Sequence, residues 1–106
     1  SHFLNTGDHP VMIFAIIRNH FNMLHNASFK ISQGKSVDNV VSTMRPPVFF
    51  SRKNAVISQI RRWNLNKTDL AVSLIADADI DARMNAPLAK NILNRLVTRL
   101  SLMANR

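Results

Sequence analysis

No proline or glycine interrupts the chain between Pro10 and Gly34, and apolar side chains recur through that interval at helical spacing. Val11, Phe14, Ile17, Phe21, Leu24 and Ser28 follow one face, and Ile13, Ile16 and Met23 widen it. The spacing predicts a deeply buried first helix. Asp8 is its expected N-cap, because a carboxylate there can accept the free N–H groups of the first turn. Pro10 fits that turn, where no N–H is needed. Gly34 is the natural stop, with the helix ending at about Gln33. The whole chain has only 2 glycines and 4 prolines. Scarce glycine and long apolar periodicities together predict an all-α fold.

Four further helices follow. A short one lies in "KSVDNVVSTM", capped by Ser36, with Val37, Val40, Val41 and Met44 on one side. "RPP" ends it, since proline pushes the residue before it out of the helical region. The third is expected from about Phe49 to Trp63. Phe49, Val56, Ile60 and Trp63 form its stripe, with Phe50 and Ile57 beside it. The fourth should start at an Asn66 cap and turn Leu70, Leu74, Ala78 and Ile80 inward. The fifth opens at Pro87, with Leu88, Ile92, Leu96 and Leu100 on its core face and Leu93, Val97 and Met103 flanking. Short connections between about five helices imply one compact bundle. The 106 residues suffice for one domain with a modest core. Residues 1–8 read as a remnant or linker and 9–106 as the helical domain. The chain does not start with methionine, so it reads as a piece of a longer protein, and Ser1 and His2 are open to a native or a non-native reading.

Composition narrows the chemistry. Apolar residues make up 46% of the chain, too many for a disordered tail. There is no cysteine, which removes disulfides, thiolate catalysis and cysteine-ligated zinc. No apolar run reaches the ~18 residues of a membrane span. "PVMIFAII" is too short, and it lacks the basic flank and cleavage site of a signal peptide. A cytoplasmic protein with no membrane contact is the expectation. The net charge is +8, from 14 Lys plus Arg against 6 acidic residues. A surplus of that size points to an anionic partner, either nucleic acid or an acidic protein face.

Three motifs invite a catalytic or ligand-binding reading, and none sustains it. Asp77, Asp79 and Asp81 alternate, as at the start of a calcium loop. Such a loop needs glycine at its sixth position and glutamate at its twelfth. Ala82 and Leu88 stand there. In a helix, alternate residues point about 200° apart, so the three carboxylates cannot converge. A solvated helix side with one Asp79–Arg83 ion pair is the favoured reading. "QGKS" at 33–36 resembles the end of a phosphate loop, but Phe29 occupies the position of its other glycine. His20 and His25 are five apart, whereas a helical metal pair uses i, i+4. His9 and Asp8 do not repair this. No local signature selects a nucleophile and its base. No catalytic residue, metal or cofactor is assigned.

The order of the marker segments carries a resemblance. "NHFNMLH" is followed by "GKSV", then "PPVFFSRKNAVISQIRRW", then "LAVSLIADADIDAR", then a leucine-rich terminal helix. This pattern, from about His9 to Met103, resembles the C-terminal domain of the delta subunit of the bacterial DNA polymerase III clamp loader. The most specific block is "PPVFFSRKNAVISQIRRW", followed by an aspartate four residues before a basic one. Asp79 and Arg83 hold those places, and Arg83 stands where the family more often has lysine. The resemblance implies a collar domain, which joins equivalent domains of gamma/tau-type and delta-prime-type subunits into a ring. The collar holds the loader pentamer together while a sliding clamp is loaded on primed DNA during replication. The clamp contact would lie in an upstream ATPase-fold module without a working ATP site. The collar itself would be no enzyme and would need no cofactor.

Under that reading, some side faces must stay available to neighbours. Phe49 and Phe50 are adjacent, so their rings point about 100° apart and cannot both face one core. One of them, with Val48, is left for a partner. Leu93 and Val97 make the last helix apolar beyond its core stripe, and Arg95 and Arg99 could meet acidic residues on a neighbour. Arg45, Arg52, Lys53, Arg61 and Arg62 surround the third helix near Trp63. Arg52, Lys53, Arg61 and Arg62 are the candidates to face primed DNA, weakly. The competing reading is a free-standing basic helical DNA-binding module with residues 49–63 as its recognition helix. Against it, "RPP" stands where a helix-turn-helix would place its turn.

Overall fold

The computed structural model describes residues 9–105, and among them every regular element is a helix, with no strand. It contains α1 (Pro10–Ser32), α2 (Val37–Ser42), α3 (Lys53–Arg62), α4 (Leu65–Met84) and α5 (Ala89–Ala104). Short 3₁₀ turns at Phe50–Arg52 and Ala86–Leu88 lead into α3 and α5. The all-α bundle of five helices expected from periodicity is present. The Asp8 cap and the linker reading of residues 1–8 lie outside the described residues.

Helix α1 ends as its sequence dictates. Gly34 adopts φ +100, the left-handed region. Its N–H reaches Ile31 O at 3.0 Å, and the Lys35 N–H reaches back to Lys30 O at 3.1 Å. These bonds satisfy carbonyls that the helix end would leave open. Ser36 then caps α2, its Oγ accepting from the Asn39 N–H at 3.1 Å.

Helix α4 is the central element, packed chiefly against α1 and α5. Phe14, Phe21 and Leu24 of α1 are buried with Ala71 and Ile75 of α4 and Leu93, Leu96, Leu100 and Met103 of α5. Val40, Val41, Val56, Ile60 and Trp63 close the core from the other side. The Trp63 ring meets Phe21 edge-on, with centroids 4.7 Å apart. This geometry favours the pair beyond the apolar area it buries.

Several inward faces are rotated from their expected positions. On α1, Val11 and Ile16 are exposed. On α4 the buried stripe is Thr68, Ala71, Ile75 and Ala82. Leu70 and Ile80 are exposed, and Leu74 and Ala78 are only partly buried. The largest apolar residues misled the sequence reading here. The buried stripe mixes the small side chains of Thr68, Ala71 and Ala82 with Ile75, so bulk alone does not mark the inward face. The α4 cap is Asn64, not Asn66: Asn64 Oδ1 accepts from the Lys67 N–H at 3.0 Å. The chain is already fixed one residue earlier, because Ser28 Oγ donates to Trp63 O at 2.7 Å. Leu93 of α5 is fully buried and Leu88, at the end of the 3₁₀ turn before it, is exposed, the reverse of their expected order. Leu93 is therefore a core residue and no interface candidate.

Candidate interaction surfaces

Helix α3 is shorter than expected, because residues 46–49 run non-helically and a 3₁₀ turn precedes it. Phe49 has φ −63 and ψ 145, an extended conformation. This approach segment carries both rings into solvent. Phe49 is 77% exposed and Phe50 93%. The sequence required one ring to face outward, and the structure turns out both. Phe49 thus does not belong to the Val56–Ile60–Trp63 stripe. Val48 instead packs against the core. Arg45 and Arg52 lie exposed on either side of the aromatic pair in sequence, with Lys53 half-buried.

The proposed DNA-facing cations separate into two groups. Arg52 and Lys53 sit at the start of α3, Arg61 and Arg62 at its end, about 12 Å further along the axis. Lys53 Nζ lies 3.7 Å from Asp38 Oδ1 of α2, a loose and mostly exposed pair. Arg52 faces His20 of α1 closely enough to lower that imidazole's pKa. The larger cause there is loss of water around the ring. Arg61 and Arg62 instead line an open polar concavity of about 610 Å³ with Asn64, Lys67 and Asn105. The arrangement gives two cationic surfaces, not one continuous stripe.

The three alternating aspartates part company as the helix geometry requires. Asp79 turns toward α1 and is only 14% exposed. Arg83 grips it bidentately, Nε to Oδ1 and Nη2 to Oδ2, both at 3.2 Å. Arg18 of α1 donates to the same carboxylate at 3.3 Å. The expected ion pair exists, and a third partner that the sequence did not reveal ties α1 to α4. Asp77 and Asp81 point to the other side of α4. There they line a groove of about 250 Å³ with Leu74 and Ala78 of α4 and Ile92, Arg95, Leu96 and Arg99 of α5. Arg95 and Arg99 thus face acidic residues of their own chain. Val97 is partly buried and lines a separate apolar groove beside Phe21 and Trp63.

Among the described residues the histidines do not assemble a metal site: no group of three or more His, Cys, Asp or Glu could hold an ion. His25 Nδ1 lies 3.1 Å from Thr68 Oγ1 and its Nε2 lies 3.4 Å from Asp69 Oδ1. The Thr68 hydroxyl also lies 3.1 Å from Asn64 O and from Leu65 O. It and His25 Nδ1 share a hydrogen bond whose direction follows the imidazole tautomer. Thr68 is fully buried, so this chain of bonds braces α1 on α4 and offers no nucleophile.

A feature missed in the sequence is a row of asparagines on α1. Asn19, Asn22 and Asn26 line a groove of about 450 Å³ that ends at Thr43 and Arg45. Their i, i+3, i+7 spacing was legible in "NHFNMLHN", but amides carry no charge or hydropathy signal that sets them apart from ordinary solvent-facing residues.

Fold and surface together define a basic helical domain with several exposed faces and no buried polar side-chain atom lacking a hydrogen-bond partner among the described residues. Comparison with known protein families, with characterised proteins and with solved structures finds no match.

Proposed function

We propose that this chain is the collar domain of a clamp-loader delta subunit. In this role it holds a ring of loader subunits together and performs no catalysis of its own. The observation that carries the reading is the Phe49–Phe50 pair. Adjacent in sequence, they are the two most exposed phenylalanine rings among the described residues. Exposed aromatic anchors rimmed by arginine are the composition of protein interfaces. The pair also lies within "PPVFFSRKNAVISQIRRW", the segment that most resembles the delta family. Partners on this reading are gamma/tau-type and delta-prime-type subunits. Primed DNA is a weak, salt-sensitive partner of Arg52, Lys53, Arg61 and Arg62. The sliding clamp is reached only through an upstream module.

The test is capture of purified loader subunits by the immobilised chain, alongside binding to primed DNA at ~50 mM and ~200 mM salt. Capture that is lost in Phe49→Ala/Phe50→Ala, with DNA binding weak or erased by salt, supports the collar reading. A second reading, the free-standing DNA-binding module, is favoured by the cationic concavity at Arg61 and Arg62. It requires salt-resistant, sequence-selective DNA binding without subunit capture.

A further inference from the structure

The groove between α4 and α5 has a charge order that its own copy can satisfy. Asp77 and Asp81, one turn apart, form the acidic rim on α4. Arg95 and Arg99, one turn apart, form the basic rim on α5. All four side chains are exposed. Among the described residues, the ion pairs within 4.0 Å are Arg18–Asp79, His25–Asp69, Lys53–Asp38 and Arg83–Asp79. None of the four rim residues takes part in one. The floor between the rims is apolar, with Leu74 and Ile92 partly buried.

Exposed leucines extend the same face beyond the groove. Leu70 lies one turn before Leu74 and is 49% exposed, and Leu88 lies one turn before Ile92 and is 51% exposed. Leu102, three residues past Arg99, is 60% exposed. Because α4 and α5 form an antiparallel hairpin, Leu70 and Leu102 fall at one end of the face and Leu88 at the other.

We propose that this face is the contact surface between two copies of the chain, related by a two-fold axis running along the groove. A closed dimer requires a patch that complements itself. Rotation about an axis along the groove swaps left and right rims while leaving every residue at its own level. The acidic rim of each copy then lies over the basic rim of the other. Register needs no adjustment, because the two rims already stand within about one helical turn of each other in the same groove. A two-fold axis across the groove would stack acidic on acidic and basic on basic, which repels. Charge thus selects one of the two symmetric arrangements. The leucines at both ends leave water in the selected one, which drives association while the charges fix its orientation. The inference stands independently of the collar reading.

The experiment is sedimentation velocity on the whole chain at ~0.15 M salt, where the repulsion between two copies carrying the surplus of basic residues is screened. A concentration-dependent shift from monomer to dimer between ~10 μM and ~1 mM is expected. Asp77→Lys/Asp81→Lys and Arg95→Glu/Arg99→Glu should each weaken self-association at least ~10-fold. Mixed together, the two variants should form a heterodimer, since each supplies the rim that the other lacks. All four substitutions are on exposed residues, so folding is checked by an unchanged helical circular dichroism spectrum. A chain that stays monomeric to ~1 mM overturns the proposal and leaves the face to a helix of some other protein. Self-association unaffected by the charge reversals, or unrestored in the mixture, overturns it equally.

Discussion

The α1–α4 seam and the approach to α3 hold side chains of similar apolar character and treat them in opposite ways. In the seam, Phe14 and Leu24 are buried in one cluster with small residues such as Ala71, and all three are at most 1% exposed. The polar groups there are also matched: Thr68 is bonded on both sides, and Asp79 is held by two arginines. On the approach, Phe49 and Phe50 touch little and sit among cations. The seam spends its apolar surface on stability, whereas the approach keeps its surface free. Residues from the two regions should therefore fail in different assays.

The largest expected effect separates those assays. Leu24→Ala removes a fully buried side chain and should cost about 2–5 kcal/mol of unfolding free energy, read by urea denaturation. Phe50→Ala should change stability by no more than ~0.5 kcal/mol. It should weaken capture of any partner that uses the approach. A large stability loss in Phe50→Ala would mean that the ring is packed in solution, and the contrast between the regions would fall.

Next is the bond that joins the seam to the end of α3. Ser28 Oγ donates to Trp63 O inside the core at 2.7 Å. Ser28→Ala leaves a buried carbonyl without this donor and should cost about 1–3 kcal/mol. Ser32→Ala is the control. Its hydroxyl bonds Phe29 O on an exposed face, where water replaces the lost partner. Equal losses in the two variants would show that the Ser28 site admits water and is not part of the sealed region.

The start of α4 gives a smaller effect and marks where sequence reasoning stopped short. Asn64→Ala should cost about 0.5–2 kcal/mol as a lost cap, while Asn66→Ala should be close to neutral. "WNLNKTD" offers two equivalent asparagines, and local chemistry cannot choose between them. The choice comes from the Ser28–Trp63 bond, a contact between residues far apart in sequence. The same limit explains the rotated stripes. Periodicity in α4 and α5 was legible, so both helices and their extents were found within a few residues. Which side of each helix faces inward depends on how α1, α4 and α5 pack together: on α4 hydropathy ranked Leu70 and Ile80 above Ala71 and Ala82, and in the last segment it could not choose between Leu88 and Leu93. The candidate site followed the same division. Helix geometry alone foretold that Phe49 and Phe50 could not both be buried, and that Asp79 pairs with Arg83. The Arg18 partner, the opposed rims on α4 and α5, and the splitting of the basic cluster all required the helices to be placed in space.

The smallest effect concerns His20, which feels both regions. His20 stacks edge-on against Phe21 of the core, with centroids 5.4 Å apart, and faces Arg52 of the approach. Partial loss of water lowers its pKa below the ordinary 6.5, and the like charge of Arg52 lowers it further. The folded chain therefore binds this proton less readily than the unfolded chain does. In the window between the folded pKa and 6.5 the unfolded state holds more protons, so stability falls as pH drops through it. Wild-type chain should lose stability relative to His20→Asn between about pH 7 and pH 5, and the two should run parallel above pH 7. Arg52→Gln should remove only the lesser part of this slope, since water loss is the larger cause. If Arg52→Gln abolished the slope entirely, charge on the approach would govern the ring, and His20 would belong with the open region and not with the seam.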